Sequence, residues 1–312
     1  MPGSKFVIEV EHLVKKYKNV AAVDDVSFKI NRGEVFAFLG PNGAGKTTTV
    51  EIVETIRTPT SGKVKLLGMD VLKRKKDIVP RIGVLPQEFS SFDRITVRET
   101  IQYYSRLFCC RNLDVDGLID LVNLQDKRDE QYKNLSGGLK QRLGIAIALV
   151  NDPEVVFLDE PTTGLDPRAR REVWDVLQGL KKKGKTVILT THYMEEAELL
   201  ADRVAIMSKG KIISIGSPEE LIEANASNLY LTLKSVDKRA FGVLEKMGFK
   251  PKPDNHKNLK VEVPQTSDVL SILEMLKSEK ANYLSMDVRK PNLEEVFLKL
   301  TGEALREEAV MV

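Results

Sequence analysis

Cysteine is nearly missing from this chain: 312 residues hold two, Cys109 and Cys110, and these are neighbours. Adjacent thiols offer neither the separations of a disulfide framework nor those of a zinc ligand set, so a reducing, cytoplasmic compartment is the simplest expectation. Long apolar runs are missing too. None approaches the ~18 residues that a membrane span requires, and no secretory leader is expected. If the protein works on a membrane, it does so through a partner. A surplus of either charge is also lacking, since 48 Lys+Arg against 45 Asp+Glu leave a formal +3. That balance gives no reason to expect nucleic acid, and the basic clusters at 73–76 and 181–183 read as solvated faces. What remains is an ordinary globular composition, 42% hydrophobic and 30% charged, in a chain long enough for more than one domain.

The most informative stretch is Gly40, Pro41, Asn42, Gly43, Ala44, Gly45, Lys46, Thr47 and Thr48. EVFAFL (34–39) before it reads as a buried strand, and TTTVEIVETIR after it sets Val50, Val53 and Ile56 on one face of a helix. Strand, glycine loop, lysine, hydroxyl and helix is the context of a phosphate loop. The glycines let backbone N–H groups turn inward on an anion, and the helix start adds its own unpaired N–H groups. Lys46 is expected to reach the terminal phosphates and Thr47 to offer its hydroxyl to magnesium. This is a nucleoside triphosphate site. Upstream, Tyr17 in KKYKN is either a plain surface tyrosine or a face on which an adenine stacks.

Beyond the first helix, KVKLLG (63–68) and IGVLPQ (82–87) read as strands, the second ending in Pro86 and Gln87. From Thr96 to Leu124 the pattern turns helical, with Val97, Ile101, Tyr104 and Leu107 on one stripe, and this is expected to be an inserted helical subdomain of about 88–150. In LSGGLKQ, Ser136 is a good N-cap, Gly137 and Gly138 allow close backbone approach, and a long helix follows. Taken alone this is an ordinary helix start. As a second phosphate half-site it suggests that two chains share each nucleotide. EVVFLDEP (154–161) is a strand apolar enough for burial on both faces, closed by Asp159, placed to hold magnesium, and Glu160, placed to take a proton from water. TVILTTH (186–192) ends in His192. Gln87, Asp159, Glu160 and His192 thus all follow strand ends, where an open parallel sheet gathers its ligand.

These stretches, in this order over the first two thirds of the chain, resemble the ATP-binding subunit of an ABC transporter. The resemblance implies a P-loop NTPase (ABC ATPase) domain of α/β class over residues 1–220, with ATP and magnesium as its ligands. It makes Tyr17 the adenine-stacking aromatic, 40–48 the phosphate loop, Gln87 the magnesium-sensing glutamine, Glu160 the base and His192 the switch histidine. Asp166 then falls in the dimer loop, and Leu139 is a mild departure within the signature. Two such domains would dimerise head to tail, with Ser136, Gly137, Gly138 and Gln141 of one chain covering the ATP held by Lys46 of the other. The ending DVRKPNLEEVFLKLTGE is similar to the tail of the drug-exporter branch, whose multi-span permease is a separate chain. That implies a place at the cytoplasmic face of the membrane. A rival reading, a soluble ABC ATPase on DNA or ribosomes, would bring coiled-coil insertions, zinc modules or a second phosphate loop, and none is present. A module that binds ATP without turnover would have no need of Glu160 and His192.

Residues 227–312 change character. Leu229, Leu231 and Leu233, then Leu259, Val261 and Val263, then Leu284, Met286 and Val288 alternate as half-buried strands. Ala240, Val243, Leu244 and Met247, then Val269, Ile272, Leu273 and Leu276, and finally Leu293, Val296, Phe297 and Leu300 form helical stripes. A small α+β domain, ferredoxin-like and without a catalytic constellation, is expected here.

Overall fold

The computed structural model describes residues 5–110, 112–225, 228–254 and 258–302. They fall into two compact units, one ending at Pro218 and the other beginning at Glu219.

The centre of the first unit is the strand Val35–Leu39, buried at all five positions. A residue run with no polar face cannot lie at a surface, and here it is hydrogen-bonded in parallel on both sides, to Thr186–Thr191 and to Arg203–Ser208. The six-stranded sheet continues outward from Thr186–Thr191 to Val155–Asp159 and then Ile82–Leu85, and from Arg203–Ser208 to the antiparallel strand Lys211–Gly216. A second sheet, formed by Val20–Asn31, Phe6–Tyr17, Ser61–Leu66 and Met69–Asp70, is antiparallel throughout. A shared core holds Phe28 of the second sheet against Phe36 and Phe38 of the first, ring centroids 5.9 and 5.2 Å apart, with Ile52 and Val53 of the helix Lys46–Val53 in the same cluster. That helix is shorter than its pattern suggests: Thr55 takes φ +70, and Ile56 is exposed rather than part of the stripe.

The helical insertion leaves the sheet after Leu85 and returns at Val155, so it hangs between two neighbouring parallel strands. Its first helix, Val97–Leu107, opens with a capping box. Thr96 Oγ1 accepts from Glu99 N–H at 3.1 Å, and Thr96 N–H donates to the Glu99 carboxylate at 2.8 Å. Val97 and Ile101 of its stripe are buried, whereas Leu107 is exposed. The buried Arg142 of helix Gly137–Ala148 ties the insertion together by donating to Asn123 O at 2.6 Å, and ties it to the helix Pro167–Lys182 by pairing with Glu172 at 3.1 Å.

In the second unit four antiparallel strands run in the order Lys252–Pro253, Leu259–Val263, Leu229–Lys234, Ser285–Arg289. With helices Lys238–Lys246 and Thr266–Ser278 between them, this is the ferredoxin-like arrangement. The two-residue strand was too short to show in the alternation. Leu231, Leu233, Leu259, Val261 and Val263 meet Ala240, Val243, Leu244, Val269, Ile272 and Leu276 in one core. The third alternating run behaves differently. Leu284, Met286 and Val288 are exposed rather than half-buried: Leu284 lies just before the strand Ser285–Arg289, and that strand is the outer edge of the sheet.

Candidate functional site

Three carboxyl-terminal strand ends stand side by side: Leu39, Thr191 and Asp159, with Leu39 opposite Thr191 and Asp159 opposite Thr190. The loop after Leu39 is shaped by steric necessity. Gly45 takes φ +99, and a Cβ on it would stand 2.4 Å from Ala22 O; a Cβ on Gly40 would stand 2.3 Å from Met207 O. Only glycine fits at either place. Gly45 is also the N-cap of the helix Lys46–Val53, and a glycine has no side chain with which to cap it. The amides of the first turn therefore lack a side-chain acceptor and face the loop, which is the requirement for holding an anion. Pro41, Asn42, Gly43 and Ala44 form the turn itself, closed by Ala44 N–H to Pro41 O at 3.1 Å.

Lys46 is the buried cation of this loop. Its Nζ donates to Gly40 O at 2.8 Å and Pro41 O at 3.2 Å and lies 3.3 Å from Glu160 Oε1. Burial lowers its pKa, against the pull of Glu160 and Asp159. Glu160 has φ +47, which turns its side chain away from the direction of Asp159. Its Oε2 accepts from Thr163 Oγ1 at 3.0 Å and lies 3.2 Å from His192 Nδ1, near enough for charge but out of line for a hydrogen bond. Burial alone would raise the Glu160 pKa; His192, Lys46 and Thr163 outweigh it and pull the carboxyl down to about 2.

Asp159 faces the other way. Its Oδ1 accepts from Thr47 Oγ1 at 3.1 Å and from Thr190 Oγ1. Burial raises its pKa despite the two hydroxyls. A carboxylate and a hydroxyl beside the phosphate loop are hard oxygen donors of the kind magnesium takes, with water and substrate oxygens completing its shell. Thr47 and Asp159 thus fit the metal.

Gln87 is exposed and partners neither Thr47 nor Asp159. Its strand is three places from Val35–Leu39, roughly 14 Å across the sheet. Tyr17 is the last residue of a strand rather than part of a loop, 40% exposed, with Lys15 Nζ 5.0 Å and Arg57 Cζ 5.8 Å from its ring centroid. Thr48 is half-buried in the first helical turn. Ser136 caps helix Gly137–Ala148, accepting from Leu139 N–H at 3.5 Å. Gly138 packs so near Ala169 that a Cβ would fall 2.7 Å from the alanine Cβ. Ser136 and Gly137 are exposed, and Gln141 is half-buried. Asp166 is the N-cap of Pro167–Lys182, accepting from Arg168 and Ala169 N–H at 2.9 and 3.0 Å.

Two acids escaped the sequence reading. Glu196, wholly buried in the helix Met194–Leu200, accepts from Thr162 Oγ1 at 2.8 Å and Trp174 Nε1 at 3.0 Å. It joins the loop after Glu160, the helix after Asp166 and the segment after His192. Glu54 is buried at the end of helix Lys46–Val53, its pKa pushed up to about 8 by burial, with Asp159 and Glu51 adding to the effect. The one available signal was that Glu196, with Ala197 and Leu200, falls on the helix face that is buried.

Comparison with known proteins decides the family. The family model described as ABC transporter matches residues 23–163. The Nod factor export ATP-binding protein I of Rhizobium meliloti (strain 1021) is 35% identical, over 98% of this chain and 92% of that protein. The chain belongs to the ABC transporter ATP-binding proteins. Among solved structures, cbiO1 from Clostridium perfringens, part of the ABC transporter complex cbiONQ, is similar to this ATP-binding protein. The TM-score is 0.61 at 29% identity, over 70% of this chain and 92% of that one. The ATP-binding cassette MJ0796, solved as a dimer with ADP and Pi, shares the fold. Its TM-score is 0.61 at 24% identity, over 67% of this chain and 98% of that one. As a member of this family the protein is an ATPase subunit.

Glu196 gives a direct test of the polar frame behind the site. Burial raises its pKa above the ordinary 4.5 despite the hydroxyl and indole donors. Its contribution to stability is therefore fullest below the unfolded value and declines as pH rises through the folded one. Glu196→Gln, which keeps an acceptor and does not titrate, is expected to gain on the wild type in urea melts as pH rises from about 4 to 8. Glu196→Ala leaves Thr162 and Trp174 without an acceptor and should lose about 2–5 kcal/mol. An alanine variant as stable as the wild type, or a glutamine variant whose margin shrinks with rising pH, contradicts this reading.

Proposed function

We propose that this ABC ATP-binding protein hydrolyses ATP as one half of a homodimer and thereby drives export through a separate multi-span membrane chain. The observation that carries the reading is the triad of buried Lys46 and Glu160 with part-buried His192, set beside uncapped helix amides. Phosphates entering the loop meet those amides and draw Lys46 away from the carbonyls of Gly40 and Pro41. Glu160 then loses one of the charges that hold its pKa near 2 and moves toward the range of a base. Water attacks the γ-phosphorus, the bond to the β–γ bridging oxygen breaks, and the water's proton passes to Glu160. His192, 3.2 Å from Glu160 Oε2, keeps that carboxylate oriented. Magnesium, when bound, offsets phosphate charge, and Thr47 and Asp159 are the residues that would hold it. Positioning and charge stabilisation do most of the work in such a transfer.

The exposed helix N-terminus at Ser136 and Gly137 supports a composite site, in which it covers the nucleotide held by Lys46 of a second copy. A cassette of the same fold has been solved as a dimer with ADP and Pi, which supports the same arrangement here. Asp166 would act through the loop that it caps, Gln87 through movement toward the metal, and Tyr17 by stacking on adenine. Export is supported by the relatives' role in Nod factor export. No helix among the described residues is long and apolar enough to cross a membrane. In the proposed reading the transport path is a second chain, with this one on its cytoplasmic face. Phe92, Tyr103, Tyr104 and Phe108 form a run of ring contacts at 5.2, 5.4 and 6.4 Å, and Phe92 and Phe108 are 54% and 49% exposed. An exposed aromatic patch on the helical insertion is a fitting surface for the permease.

Glu160→Gln tests the chemistry. It should bind ATP within about threefold of the wild type, yet turn over ~10²-fold more slowly or worse, and accumulate an ATP-bound dimer in size-exclusion chromatography. Turnover near wild type would remove Glu160 from the base role. For the partner, Phe92→Asp should weaken co-purification with the permease while ATP binding stays unchanged. Undiminished association with that variant, and with Phe108→Asp, would put the docking surface elsewhere.

A further inference from the structure

The two edges of the C-terminal sheet are built on opposite principles. One is Lys252–Pro253, two exposed residues, one charged and one without an amide N–H. Short, charged, proline-bearing strands are how proteins keep an edge from pairing. The other edge, Ser285–Arg289, has five residues, no proline, and no register shift against Leu229–Lys234. Nothing blunts it.

Its side chains are also placed as if for a continuing sheet. Met286 lies opposite Leu233 and Val288 opposite Leu231, so both sit on the face that holds the core. Leu231 and Leu233 are fully buried, while Leu284, Met286 and Val288 are 79%, 45% and 41% exposed. The apolar face runs on past its covering helices to an open ladder. Among the described residues no strand pairs with that side.

The geometry points to the same strand of a second copy as the occupant, paired antiparallel about a two-fold axis at Met286. Residues directly opposite in a ladder share a face, so a two-fold perpendicular to the sheet must pass through a residue and its own copy. At Met286 the axis sets Val288 against Leu284 of the second copy, the residue just before its strand, Met286 against itself and Ser285 against Asp287. Every apolar side chain then meets an apolar one, and no like charges are opposed. An axis at Asp287 would face two carboxylates. One at Val288 would oppose Met286 to Lys290 and shorten the ladder. This self-complementarity is what selects a second copy over a foreign strand, which would have no need of it. The proposal rests on the reading of the chain as a dimer, and adds an isologous contact that does not involve the nucleotide.

Cysteine cross-linking of the full chain tests it, with Cys109 and Cys110 changed to serine and circular dichroism checking the fold of each variant. Directly opposed residues stand about 4.5–5.5 Å apart at Cα, within disulfide range. Met286→Cys should therefore oxidise to a covalent dimer, with or without ATP. Leu284→Cys and Val288→Cys should link to each other when mixed. Alone, neither should, since like positions then lie roughly 14 Å apart. Ser136→Arg, which strikes the nucleotide-dependent contact, should leave the Met286→Cys link in place, so failure of the composite ATP site and failure of this contact are told apart. Linking no better than an exposed control such as Glu279→Cys overturns the proposal. So does linking of Leu284→Cys alone as strongly as the mixture, or capture of the permease by Met286→Cys in place of a second copy.

Discussion

The proposed chemistry depends on one carboxylate being held, out of water, between a lysine ammonium and an imidazole. The Lys46 and Glu160 side chains are 4% and 6% exposed, and an ion pair so placed exists only because each member answers the other. Removing one partner of such a pair leaves an uncompensated buried charge, which costs about 3–5 kcal/mol. The sheet makes the pairing possible. Parallel strands Val35–Leu39 and Val155–Asp159 flank Thr186–Thr191, so the residues just past their ends, from three distant parts of the sequence, arrive at one place. Glu160 closes the gap through its left-handed backbone, which sends Asp159 to Thr47 and Glu160 to Lys46.

In this state the site is guarded as well as assembled. A carboxyl held near pKa 2 is a poor base, and a lysine turned onto its own loop carbonyls is not yet a phosphate ligand. In the proposed function the substrate's phosphates exchange these contacts for others, so that Glu160 becomes competent as a base when the nucleotide arrives. Behind the pair, Glu196 joins Thr162 and Trp174, so the loop after Glu160 and the segment after His192 share one buried frame.

Much of this was legible in the sequence wherever function is written in local spacing. Gly40 to Thr48 are consecutive, and the apolar runs around them are short enough to read as buried strands. Asp159, Glu160 and His192 were legible for a second reason, because each follows a strand that the sheet must bury. Gln87 obeyed the same rule, yet the structure leaves it exposed, since strand order, which spacing does not encode, puts Ile82–Leu85 at the margin of the parallel set. Glu196 and Glu54 were illegible because an acid in a helix reads as solvated until the packing partners are known. The alternation at Leu284, Met286 and Val288 marked a strand, which begins one residue later at Ser285, but alternation does not say whether a strand is central or at an edge.

The exchange at Glu160 can be measured directly. In protein enriched with 13C at the glutamate carboxyls, the resonance lost in Glu160→Gln identifies this group. Without nucleotide its titration midpoint should lie well below the ordinary 4.5, near 2, and a non-hydrolysable ATP analogue should raise it as Lys46 turns to the phosphates. A midpoint at the ordinary value in the free protein, or one that the analogue leaves unmoved, would contradict the account.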